Sequence, residues 1–164
     1  MPRLTLVAAC LAVLGCTAAC SNPSPLSAER PGVIYTACNL VGAYDRVLIS
    51  KRDDRRGTCT RIGLASPLKQ SVVPISVPPG WSVEVAAVSN QPSDCERSTG
   101  LAVNAVSATG GTGSIVWSSE DGVASPAQLS VHATLTFSGV SGAPSWTPPV
   151  DELDAEQLAV TSCR

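Results

Sequence analysis

The chain has 164 residues, 44% hydrophobic, 15% charged and only 4% aromatic, a size that suits one hydrophobic core and not two. Eleven basic residues against thirteen acidic ones leave a net charge of −2, so the chain lacks the basic footprint that nucleic-acid binding requires. Thirteen glycines and thirteen prolines, set among Val, Ala, Ser and Thr, favour strands and turns over helices.

The first element is an apolar run from Leu4 to Leu14, preceded by Arg3 and closed by Gly15-Cys16. As a helix it covers about 16 Å, too short to span a bilayer, so it has the form of a cleaved export signal. The residues Val13-Leu14-Gly15-Cys16 resemble the lipobox of bacterial lipoproteins, in which the cysteine is acylated before cleavage; the resemblance covers the signal alone. It implies a signal peptide over 1–15, a lipidated Cys16 and attachment to the membrane through an N-terminal acyl anchor. Cys20, behind Thr17-Ala18-Ala19, is the alternative. Parity favours Cys20, because lipidation there leaves an even four cysteines in the mature chain while lipidation at Cys16 leaves Cys20 as an odd thiol; the aliphatic Val13 favours Cys16. An ordinary signal cleaved after Ala19 is the reading without lipid. In lipoproteins the residue after the cysteine helps to sort between membranes, and Thr17 or Ser21 there implies the outer membrane, facing the periplasm or the cell surface. Acylation at two points would satisfy the two-signal requirement for stable anchoring.

From the anchor to Gly32 the chain is rich in Pro and Ser and reads as a tether over 16–32. It extends to at most about 58 Å, which holds a domain clear of lipid head groups. A single domain over 33–164 follows. Period-2 patterning places strands at Val33 to Leu40, Arg46 to Lys51, Thr58 to Ala65, Val72 to Val77, Ser82 to Ser89, Leu101 to Ala108, Ser114 to Ser118 and Val131 to Phe137. Turn chemistry separates them at 53–57, 78–80, 91–94 and at Thr109-Gly110-Gly111-Thr112-Gly113. Asp151 to Leu158, after Pro148-Pro149, has acidic residues where a helix start favours them. The expected fold is all-β: a small, disulfide-stapled antiparallel sandwich or barrel-like domain of about eight strands, with at most a short helical segment near the C-terminus.

Of seven cysteines, Cys38, Cys59, Cys95 and Cys163 belong to the body. Their spacing has none of the paired motifs of zinc sites, and no metal or other cofactor is expected; an exported thiol set is oxidised, giving two disulfides. Of the three connectivities, Cys38 with Cys59 and Cys95 with Cys163 is the favoured one, the first pair lying on strands that flank a hairpin.

Candidates for chemistry are few. His132, the one histidine, lies on the polar side of a strand with no nucleophile motif near it, and acids such as Glu84, Asp45 and Asp121 form no specific pair, so no enzyme is expected. The Gly110 to Gly113 cluster lacks the lysine of a phosphate loop, and Asp53-Asp54 and Glu120-Asp121-Gly122 lack the spacing of a calcium loop. The hairpin from Asp45 to Arg61 is the most cationic stretch. Arg52, Arg55 and Arg56 make it a possible ligand surface for phosphate or carboxylate groups, against the plainer reading of a solvated hairpin of mixed charge opposed by the acidic segment Asp151 to Glu156. Trp81 and Trp146 are possible stacking platforms for sugar rings, against core filling in a chain with so few aromatic residues. The function expected is that of a cell-envelope lipoprotein whose non-catalytic β domain binds an envelope protein or polysaccharide, or serves structurally, at the membrane surface. The alternatives are a secreted carbohydrate-binding or inhibitor-like β module without an anchor and, more distantly, an envelope hydrolase.

Overall fold

The computed structural model describes residues 30–40, 46–65, 72–77, 83–97, 104–118 and 128–163. The signal segment, Cys16, Cys20, nearly all of the tether, Trp81 and Glu120-Asp121-Gly122 lie outside them. The described residues form β1 (Val33–Leu40), β2 (Arg46–Asp53), β3 (Thr58–Ala65), β4 (Val72–Val77), β5 (Val83–Ser89), β6 (Val106–Ser107), β7 (Gly110–Ser118), β8 (Gln128–Thr136) and β9 (Val150–Ser162), with one 3₁₀ turn at Pro92–Glu96.

All nine strands belong to one sheet, in the order β4-β7-β8-β9-β1-β2-β3-β5-β6. Every pairing is antiparallel except β1 with β9. The sheet curls into a half-barrel, because a single face supplies the core from strands far apart in that order. Val47 and Ile49 of β2, Ile62 and Leu64 of β3, Ile115 of β7, Leu129, Val131 and Leu135 of β8, and Leu153 of β9 pack in one cluster with Phe137. Alternation along each strand does this: on β8, Leu129, Val131, Ala133 and Leu135 are buried while Gln128, His132 and Thr134 face solvent. The fold is therefore the expected all-β one.

Three local expectations are corrected. Asp151 to Leu158 is not helical but the middle of β9, with Asp151, Leu153 and Ala155 inward and Glu152, Asp154 and Glu156 outward. An inward carboxylate hides the period-2 pattern at the sequence level. The stretch Gly110 to Gly113 is not a turn but the start of β7. Gly113 has φ +146°, and a Cβ there would stand 2.1 Å from the His132 carbonyl oxygen; glycine permits close approach to β8 rather than reversing the chain.

The third correction is the disulfide pairing. All four body cysteines are in disulfides, but Cys38 bonds Cys163 and Cys59 bonds Cys95. Cys59 lies opposite Arg52, which in turn lies opposite Ile34. That is four residues from Cys38 along β1, an offset of about 13 Å that no disulfide spans.

The β2–β3 turn, Asp54 to Gly57, has the expected chemistry: Asp53 Oδ1 accepts from the Arg55 and Arg56 amides at 3.0 and 3.1 Å, and Gly57 takes φ +65°. The reversal expected at 91–94 is built around the 3₁₀ turn, with Pro92 at its start. That turn sits on the outer face of β3 and β2. The Cys59–Cys95 disulfide holds it there together with buried Arg61, which donates to the Asp94 carbonyl and, at 2.6 Å, to that of Arg97. Ser89 Oγ adds a hydrogen bond to Asp94 Oδ2 at 2.7 Å.

Candidate functional site

The two halves of the curled sheet meet where β1 and β9 run parallel, and this junction is short. Its register covers Ala37, Cys38 and Asn39 against Val160, Thr161 and Ser162, held by the Cys38–Cys163 disulfide and by the Cys163 amide donating to the Asn39 carbonyl at 3.0 Å. Towards the start of both strands, side chains replace the ladder. The Asp154 amide donates to the Tyr35 hydroxyl at 3.2 Å, and the Glu152 carbonyl accepts from Lys51 Nζ at 2.7 Å. Backbone groups need partners, and here β1 and β2 side chains provide them across the gap.

Lys51 is where it is because β2 keeps its alternation. Val47, Ile49, Lys51 and Asp53 share the inner face, opposite Leu64, Ile62, Thr60 and Thr58 of β3. The interior thus changes from apolar to polar towards the end that carries the β2–β3 turn and the start of β9. Lys51 Nζ lies 2.6 Å from Asp151 Oδ1, with both side chains about 95% buried. Thr60 Oγ1 donates to Asp151 Oδ2 at 2.5 Å. A buried pair is tolerable only with its remaining hydrogen-bonding capacity satisfied, and both Asp151 oxygens are engaged. Burial pushes the Tyr35 hydroxyl above its ordinary pKa, with the nearby Asp151 and Asp154 charges adding to the effect and the hydrogen bond from the Asp154 amide opposing it.

Over this floor the gap widens into a cavity of about 260 Å³, in which Arg30, Lys51 and Arg56 face Asp53, Asp151 and Glu152, with Val33 and Val150 as apolar wall. The rim arginines are loosely held. Arg56 lies 3.7 Å from Asp53 Oδ2 and 3.5 Å from Asp151 Oδ1, and Arg30 lies 3.6 Å from Glu152 Oε2. All three separations exceed hydrogen-bond length.

Among the described ligand-surface residues expected from sequence, Arg56 alone lines this cavity. Arg52 is committed elsewhere, to Asp54 at 2.6 Å and Glu96 at 2.8 Å, and the first of these bonds holds its guanidinium above the usual arginine pKa. Arg55 lies against Gly32 outside the cavity. Trp146 does not stand free as a platform; it is half-buried against the core in the loop between β8 and β9, as Trp117 of β7 is. His132 is on the outer face, its Nδ1 2.8 Å from Asp154 and its Nε2 2.9 Å from Glu156. Among the described residues, no cluster of His, Cys, Asp or Glu side chains is placed to hold a metal ion.

Sequence reasoning missed Thr60 and Tyr35; it set the cationic hairpin against the acidic segment Asp151 to Glu156, which Lys51 and Arg56 do meet at Asp151, but it expected a surface contact and not a buried pair. Extending the alternation of β2 two residues beyond Ile49 was the available signal for Lys51, and a charged residue on an apolar face calls for a buried partner. Comparison with protein-family models, with characterised proteins and with solved structures finds no match to this chain.

Proposed function

We propose that this chain is a cell-envelope lipoprotein whose half-barrel domain works by binding at the membrane surface. The observation that carries the reading is the partition of the cysteines. All four in the body are consumed in two disulfides, which belong to an oxidising compartment, and the two in the lipobox region are left for acylation. The outer membrane is the address that Thr17 and Ser21 favour. Binding rather than catalysis is favoured by His132, both of whose ring nitrogens face carboxylates at hydrogen-bond distance on the outer surface; a general base needs one of them directed at a nucleophile or substrate. The half-buried Trp117 and Trp146 weigh against a sugar-stacking module.

Detergent partitioning of the protein from its native cells tests the anchor. The wild-type chain is expected in the detergent phase, and substitution of Cys16 or of Cys20 by Ala moves it to the aqueous phase according to which residue carries the lipid. Partitioning into the aqueous phase from the outset would sink the proposal.

A further inference from the structure

The cavity at the β1–β9 gap is distinguished by unequal use of its charges. Asp151 receives Lys51 and Thr60 on its two oxygens and Asp53 Oδ1 caps the β2–β3 turn, which leaves the Glu152 carboxylate, 3.6 Å from Arg30, and Asp53 Oδ2, 3.7 Å from Arg56, as the acceptors at the mouth. The rim cations are loosely held, since among the described residues the contacts of Arg30 and Arg56 are ion pairs of 3.5 to 3.7 Å. Each guanidinium carries five N–H donors in a planar fork. Two such forks offer more donors than the Glu152 carboxylate and Asp53 Oδ2 can accept, so the surplus is of donors, at the mouth of a cavity of about 260 Å³, slightly smaller than the usual range for drug-sized ligands.

We propose that this cavity is an oxyanion site, in which Arg30 and Arg56 clamp the carboxylate or phosphate group of a small molecule above the Lys51–Asp151 floor. The guanidinium fork matches both oxyanions bidentately. Lys51, anchored to Asp151 and to the Glu152 carbonyl, keeps the floor's Asp151 charge neutralised, so that it does not repel the anion. The volume suits one small molecule and not a polymer segment. The proposal deepens the binding reading and is independent of the anchor, so the two fail separately: a protein that binds anions but stays in the aqueous phase would lose only the lipoprotein assignment.

Isothermal titration calorimetry of the full-length protein in detergent, with inorganic phosphate in one arm and acetate in the other, tests it and separates the two chemistries. Saturable one-to-one binding of at least one of them is expected. Arg56→Gln and Arg30→Gln should each weaken it about tenfold or more, the worth of a hydrogen bond to a charged group. Arg52→Gln and Arg55→Gln, which alter the same hairpin outside the cavity, should leave it within about twofold. Absence of saturable binding in both arms would overturn the proposal. So would equal weakening by all four substitutions, which would mean diffuse attraction to a cationic hairpin.

Discussion

Lys51 and Asp151 show how one buried pair shapes an end of this domain. Each charge is acceptable because the other is present, so removing one leaves an uncompensated ion at the polar end of the interior. Lys51→Met and Asp151→Leu are each expected to cost about 3 to 5 kcal/mol in urea unfolding, while the double variant costs less than either, since both charges then leave the interior together. Strictly additive losses would contradict the pairing. Tyr35 gives the alkaline side of the same cluster. Its folded pKa is raised while that of the unfolded chain stays near about 10, so the native state keeps a proton that the unfolded state releases. Its contribution to stability is therefore whole below about pH 10 and is lost as pH rises through the folded value. The chain has two tyrosines. Phenolate absorbance of the folded protein should show a component titrating above the ordinary value that disappears in Tyr35→Phe; persistence of that component in the variant would contradict the assignment.

Strands with one apolar and one polar face were legible in the sequence: β1, β3 and β4 begin and end where period-2 patterning puts them, β2 and β7 run beyond their expected ranges, β5 lies within its own, and β8 starts three residues early and ends one early, while of the described part of Leu101 to Ala108 only Val106–Ser107 is strand. The failures share a cause, which is that a residue's role was decided by something distant in the chain. β9 reads as a helix start until Asp151 is given Lys51, a hundred residues away. Gly110 to Gly113 reads as a turn until β8 is laid against it. Gly113→Ala is expected to destabilise by about 3 kcal/mol, from the clash with the His132 carbonyl oxygen and the unfavourable backbone angle; Gly57→Ala, strained at its φ but with no atom close to the added Cβ, should cost about 1 kcal/mol. Equal losses in thermal unfolding would show that close approach to β8 is not what glycine serves there. The candidate site was legible in Arg56 and in the opposition of the cationic hairpin to the acidic segment from Asp151, but not as a cavity, because a cavity lined from β1, β2 and β9 is a property of sheet order.

At the scale of the whole molecule, the domain is a curled sheet whose halves meet at one short parallel pairing, and each disulfide guards a place where the sheet alone is weak. Cys38–Cys163 closes a sequence separation of 125 residues at that pairing, and Cys59–Cys95 closes 36 under the 3₁₀ turn. In the chain-entropy view these contribute about 5 and about 4 kcal/mol, large against the total stability of a domain this size. Such dependence on disulfides suits a protein that works outside the reducing cytosol, as the proposed export signal and acyl anchor would require. The intact mass of the mature protein purified from its native membranes tests this account most directly. The account predicts a chain beginning at Cys16 or Cys20, heavier than its sequence by a diacylglyceryl group and an amide-linked acyl chain, and lighter by the four hydrogens lost in two disulfides. An unacylated chain, or one with its body cysteines reduced, would contradict it.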